Sequence, residues 1–143
     1  MTLGIRYTED DKKAFFANTN VSQGGIPIPA GTRVNADNSW SNTSGAVIAN
    51  YAINEDMMVY GSISTGYRSG GYTPRGSTVE GFQTGFDEET VTSYELGIKA
   101  DLFDSSLRIN SALFYVDYED KQVASFEAGT GGATNVIYNA GQA

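Results

Sequence analysis

The chain has 143 residues with no cysteine and no histidine, and 17 acidic residues against 9 basic ones leave a net charge of −8. That composition excludes a disulfide framework, thiolate metal centres and the Ser-His and Cys-His nucleophile pairs. Scattered cations under a negative balance exclude a nucleic-acid-binding surface, which needs clustered Lys and Arg. The 17 glycines, 9 tyrosines and 7 phenylalanines with only 3 prolines point to strands, tight turns and wet loops. No run approaches the roughly 18 apolar residues of a transmembrane helix, and Met1-Thr2-Leu3-Gly4-Ile5-Arg6 lacks an apolar signal-peptide core. Spanning strands give a far weaker hydropathy signal, so this leaves a β-barrel open.

The first predicted strand covers 2–17. Leu3, Ile5 and Tyr7 alternate with Gly4, Arg6 and Thr8 before the charged run Glu9-Asp10-Asp11-Lys12-Lys13. Residues 18–40, rich in Asn, Gly, Pro and Ser, read as a long loop. A second strand is expected over 41–53 and a third over 57–68. Asn54-Glu55-Asp56 is a short turn between them, the signature of a hairpin. After a glycine-rich loop, 69–88, the fourth strand over 89–102 has the clearest pattern. Tyr94, Leu96, Ile98, Ala100 and Leu102 alternate with Ser93, Glu95, Gly97, Lys99 and Asp101. Asp104-Ser105-Ser106 makes the next tight turn. A fifth strand is expected over 107–126 and a sixth over 135–143, separated by a loop at 127–134.

Short connections (54–56, 104–106) therefore alternate with long ones (18–40, 69–88, 127–134). All short turns then lie at one end of an antiparallel up-and-down meander, an asymmetry of transmembrane outer-membrane β-barrels. The third, fourth and fifth segments also reach the roughly 9–11 residues that a tilted spanning strand needs. The predicted fold is all-β, part of such a barrel.

Five sequence words carry a family resemblance. Leu3-Gly4-Ile5-Arg6-Tyr7-Thr8 resembles the "LGxRYT" strand of TonB-dependent outer-membrane receptors. The segment from Val59 to Tyr72 is similar to their "YxSxxxGFKSGGF" segment, with Tyr67, Arg68 and Tyr72 in place of the usual Phe, Lys and Phe. Tyr94-Glu95-Leu96-Gly97-Ile98-Lys99 resembles "YELGxK", Phe114 to Tyr118 resembles "FYxxYxD", and Asn139 to Ala143 resembles "NAGxA". The resemblance implies a barrel of about 22 strands, closed by an N-terminal plug domain, in the outer membrane of a Gram-negative bacterium. It implies energy-coupled uptake of a scarce nutrient such as a ferric siderophore, with lipid, plug, TonB and ligand as partners. About six strands and no plug make this chain, on that reading, a piece of the barrel's C-terminal half. No enzyme activity, cofactor or metal is expected. The alternative reading is a soluble or self-associating β-sheet binding module with its edge strands paired between chains.

Arg68, Tyr72 and Arg75, where the third strand enters its loop, are the candidate ligand-binding residues. An aromatic and two cations could stack on and pair with an anionic ligand; an interfacial aromatic girdle beside a solvated loop is the other reading. Gly66, Gly70 and Gly71 read as permitting a bend or bulge. Glu9-Asp10-Asp11 and Asp87-Glu88-Glu89 offer oxygen ligands for calcium without EF-hand spacing, and solvated charges account for them as well. Glu95, Lys99 and Asp101 read as a hydrated lumen face where Lys99 pairs with a neighbour. Trp40 suits a membrane-interface anchor, though a soluble core would also bury it.

Overall fold

A computed structural model describes residues 1–17, 30–73, 79–129 and 132–141, with backbone alone at 127–129 and 132–134. Strands β1 (Thr2–Ala17), β2 (Arg33–Ala52), β3 (Met57–Arg68), β4 (Glu89–Leu102) and β5 (Leu107–Glu119) form one sheet in the order β1-β2-β3-β4-β5. β6 (Gln122–Gly129) and β7 (Gly132–Asn139) form a separate two-stranded sheet, and α1 (Val79–Thr84) is one short helix. The chain is all-β and antiparallel, and the five-stranded order leaves β1 and β5 as edges. No helix among the described residues is long and apolar enough to cross a membrane.

Contacts divide the chain into two bodies. The first comprises Met1–Thr8, Asn42–Tyr67 and Thr90–Tyr118. Its register follows from the period of two: Val47 faces Ile63, Ala49 faces Gly61 and Tyr51 faces Val59 on one side of the sheet. Ala46–Ser64, Ile48–Ser62 and Asn50–Tyr60 occupy the other. Leu3, Ile5, Tyr7, Val47, Tyr51, Ile63, Tyr94, Leu96, Leu107, Ile109, Leu113 and Tyr115 are all exposed. Fully burying such a side chain stabilises by roughly 1.5–3 kcal/mol, so leaving about a dozen in water would outweigh the ~5–15 kcal/mol net stability of a domain. Water is therefore not the solvent this face is built for. Polar residues open the same face beyond Tyr7 (Glu9), Tyr94 (Thr92) and Tyr115 (Asp117), and the Tyr94 and Tyr115 rings lie 6.3 Å apart. The rise from Tyr94 to Leu102 is about 27 Å, or roughly 20 Å at a barrel-like tilt, close to the ~25 Å apolar band of outer-membrane barrels.

The second body comprises Glu9–Ser41, Arg68–Glu89 and Glu119–Ala143. Its core is Val34, Ala36 and Phe82, joined by Ala14, Phe16 and Tyr72. The alternation of β1 and β2 places Ala14, Phe16, Val34 and Ala36 where α1 can cover them through Phe82.

Several predicted boundaries differ from this structure. β2 begins at Arg33 rather than near residue 41, because Val34 and Ala36 find a core under α1 that local polarity conceals. The predicted fifth strand over 107–126 is two strands, since Asp120 adopts φ 51° and breaks the extended chain between β5 and β6. The last strand starts at Gly132, its hairpin pairing running from Gln122–Asn139 to Gly129–Gly132. Most of the 18–40 loop lies outside the described residues. The 69–88 connection contains α1 and an antiparallel Gly71–Phe86 bridge.

The short turn at 103–106 is closed by the Ser106 N–H donating to the Phe103 carbonyl at 3.0 Å. Phe103, Asp104 and Ser105 have φ 54°, 51° and 64°, a left-handed run that glycine adopts without steric cost and other residues do not. Ser105→Gly should therefore raise stability by up to about 1 kcal/mol, read as a higher midpoint of thermal or denaturant unfolding.

Candidate functional site

Where β3 ends, the backbone closes tightly on β2 and on the return of its own loop. A Cβ on Gly70 would strike the Phe86 carbonyl and come within 2.5 Å of the Trp40 indole nitrogen. Only glycine permits that approach. Next to it, Gly71 and Phe86 exchange two backbone hydrogen bonds of 3.0 and 2.8 Å. Gly85, at φ 70°, turns the chain from α1 into this bridge.

Four aromatic rings from four segments stack behind that closure. Trp40 and Tyr72 have centroids 6.0 Å apart at 65°, Tyr72 and Phe82 are 5.8 Å apart, and Phe82 and Phe16 are 6.2 Å apart. These separations suit edge-to-face contact, which adds about 0.5–1.5 kcal/mol per pair to area burial. Phe82 is 1% exposed and Trp40 5%. Lys12 fastens the edge: its ammonium donates to Ser69 Oγ at 2.6 Å and to the Gly70 carbonyl at 2.7 Å, 5.5 Å from the Trp40 ring centroid. The buried Tyr72 hydroxyl has no hydrogen-bond partner among the described residues. Burial, and secondarily the nearby Asp37 charge, push its pKa above the ordinary 10.0, so it is neutral at physiological pH.

A polar node of two side-chain amides joins three connections. The Gln122 backbone N–H donates to Glu89 Oε2 at 2.7 Å, and its side-chain amide donates to the Ser69 and Asp87 carbonyls, each at 3.0 Å. Asn139 Oδ1 accepts from the Asp87 N–H at 2.8 Å, while Nδ2 donates to the Asp120 carbonyl at 2.8 Å and the Asp87 carbonyl at 3.0 Å. Thr73 Oγ1 accepts from the Ile137 N–H at 3.4 Å. Of these bonds, the three made by the Gln122 N–H to Glu89, the Gln122 amide to Ser69 and the Ile137 N–H to Thr73 are part-buried, and leaving one unmade would cost up to about 1–3 kcal/mol.

The sequence-predicted candidates are dispersed. Arg68 is exposed at the end of β3, and Tyr72 is half-buried between Trp40 and Phe82. Arg75 lies outside the described residues. Trp40 is buried, facing Lys12 and Tyr72. No acidic group among the described residues is arranged to hold a metal ion. Glu95 accepts from the Tyr60 hydroxyl at 2.5 Å, Lys99 lies 5.7 Å from the centroid of that same tyrosine ring, and Asp101 takes both guanidinium hydrogen bonds of Arg108, at 2.6 and 2.8 Å.

Lys12, Phe82, Gln122 and Asn139 carry this region without having stood out as site residues. Lys12 was hidden in a charged run, though its alternation with Thr8 and Asp10 was a usable signal. Phe82, a lone aromatic in a glycine-rich stretch, gave none. Chemically the arrangement is an apolar socket and a main-chain clamp that order the 69–88 connection.

Phe82→Ala should cost this dock about 3–5 kcal/mol and uncover Trp40. Because Trp40 is the sole tryptophan, its emission in the folded protein should shift to the red, and an unchanged spectrum would contradict the docked loop.

The whole chain, residues 1–143, matches the family described as TonB dependent receptor-like, beta-barrel. No solved structure matches it significantly. That family is one of outer-membrane transporters rather than enzymes, in keeping with an exposed apolar band on a meander whose described long connections carry the docked helix and hairpin. The chain belongs to the β-barrel domain of the TonB-dependent receptors.

Proposed function

We propose that this chain forms part of the wall of an outer-membrane receptor for energy-coupled uptake of a scarce nutrient such as a ferric siderophore. The observation that carries the reading is the apolar band of β1–β5, framed by Tyr7, Tyr94 and Tyr115 and backed by a face bearing Glu95, Lys99 and Asp101. Such a band meets lipid, and such a backing meets water or a plug domain. Further strands of a longer barrel pair with the edges β1 and β5, a plug fills the lumen, and TonB supplies the coupling. Arg68, Tyr72 and Arg75 are the proposed contacts for an anionic ligand, since an aromatic ring can stack on it and guanidinium groups pair with carboxylate or catecholate oxygens in a bidentate manner.

Two measurements test this reading. Ile98→Arg, at the middle of the β4 apolar stretch, should destabilise the protein folded in lipid by about 2–4 kcal/mol, with Thr92→Arg on the same face beyond Tyr94 costing far less. Equal costs, or a monodisperse fold without detergent, would favour the self-associating module. In cells, deleting the gene should abolish TonB-dependent uptake of a labelled ferric siderophore, and Arg68→Ala with Arg75→Ala should weaken binding by about tenfold or more.

A further inference from the structure

Apolar alternation cannot by itself fix how β3 lies on β4. A slip of one residue turns every side chain to the wrong face and is excluded, but a slip of two preserves both faces. Something else must choose among registers two residues apart.

The glycines of β3 and β4 supply a means. The two strands contain three, Gly61, Gly66 and Gly97, and each lies under a larger side chain of the partner strand. A Cβ on Gly97 would clash with Cε1 and Cζ of the Tyr60 ring, one on Gly61 would sit 3.1 Å from Leu96 Cδ2, and one on Gly66 would sit 2.8 Å from Val91 Cγ1. The knobs point both ways and to both faces. Tyr60 reaches from β3 over β4 on the polar face, and Leu96 reaches from β4 over β3 on the apolar face. All three contacts fit one antiparallel register, which the Asp101 N–H donating to the Asp56 carbonyl at 2.8 Å also satisfies. Tyr60 is further held by Glu95 at 2.5 Å.

A two-residue slip in either direction breaks every one of these fits at once. Tyr60 would meet Glu95 or Lys99, Leu96 would meet Val59 or Ile63, and Val91 would meet Ser64 or Arg68, all of which carry a Cβ where the knob must lie. We propose that Gly61, Gly66 and Gly97 are sockets that select the register of β3 on β4, and that Tyr60, Leu96 and Val91 are the knobs that read them. The device holds whatever ligand the receptor carries.

The chain has no cysteine, so disulfide trapping can read register directly. In the selected register Ser64 lies across from Ser93; in the two slipped registers it lies across from Val91 or Glu95. Cysteine pairs at 64/93, 64/91 and 64/95 would be introduced separately into the full chain in lipid vesicles and oxidised. The 64/93 pair should cross-link and the other two should not; a dominant slipped pair, or no 64/93 cross-link, overturns the proposal. Adding Gly97→Val with Gly61→Val should raise the slipped share relative to 64/93 by roughly fivefold or more, the shift expected of overpacking. Because valines could prevent folding, Tyr60→Ala with Leu96→Ala removes two knobs without adding bulk and should also raise the slipped share. If neither variant raises it, the glycines do not select the register.

Discussion

A backbone N–H or C=O left without a partner in hydrocarbon costs several kcal/mol, so a spanning sheet has to satisfy every one of them internally. The β1-β2-β3-β4-β5 sheet obeys this along its interior ladders and leaves it undischarged at two edges. That debt defines the molecule: the exposed apolar band wants lipid, and lipid does not tolerate the edges that border it. Pairing with further strands resolves both demands, which is why the barrel of the receptor family is the natural setting for these residues.

In the second body the constraint changes, because the strands there find a core of their own. β1 and β2 continue as strands well past the residues that lipid requires, and their continuation is stabilised by a small aromatic core instead. Phe82, delivered by a helix of only six residues, covers Val34 and Ala36 there, whereas Leu96 and Leu113 stay exposed. One strand alternation thus leaves an exposed apolar face in the first body and builds a small core in the second.

Much of this was legible in the sequence. The period of two along Tyr94–Leu102 gave β4 and its faces, and the polar triplets at 54–56 and 104–106 gave the short turns. The family resemblance rested on words that turn out to have structural duties. Gly97 in the "YELGxK" word lies beneath Tyr60, and Asn139 in the "NAGxA" word binds main-chain groups at Asp87 and Asp120. What stayed illegible depended on contacts distant in sequence. Val34 and Ala36 look like loop residues until Phe82 covers them, Trp40 looks like an anchor until Lys12 and Tyr72 enclose it, and nothing local announces that Asp120 will adopt a left-handed conformation. Tyr72 reads as a ligand contact because an aromatic near a glycine-rich loop has no visible partner; the partners are 32 residues before it, at Trp40, and ten after it, at Phe82.

The amides of Gln122 and Asn139 grip carbonyl and N–H groups at Ser69, Asp87 and Asp120, leaving the side chains at those positions out of the bargain. A clamp that recognises main chain is indifferent to what the gripped residues are. At Asp87 and Asp120 that grip is therefore compatible with other side chains, whereas Ser69 and Glu89 are held through their own side chains and Gly70 and Phe82 through packing.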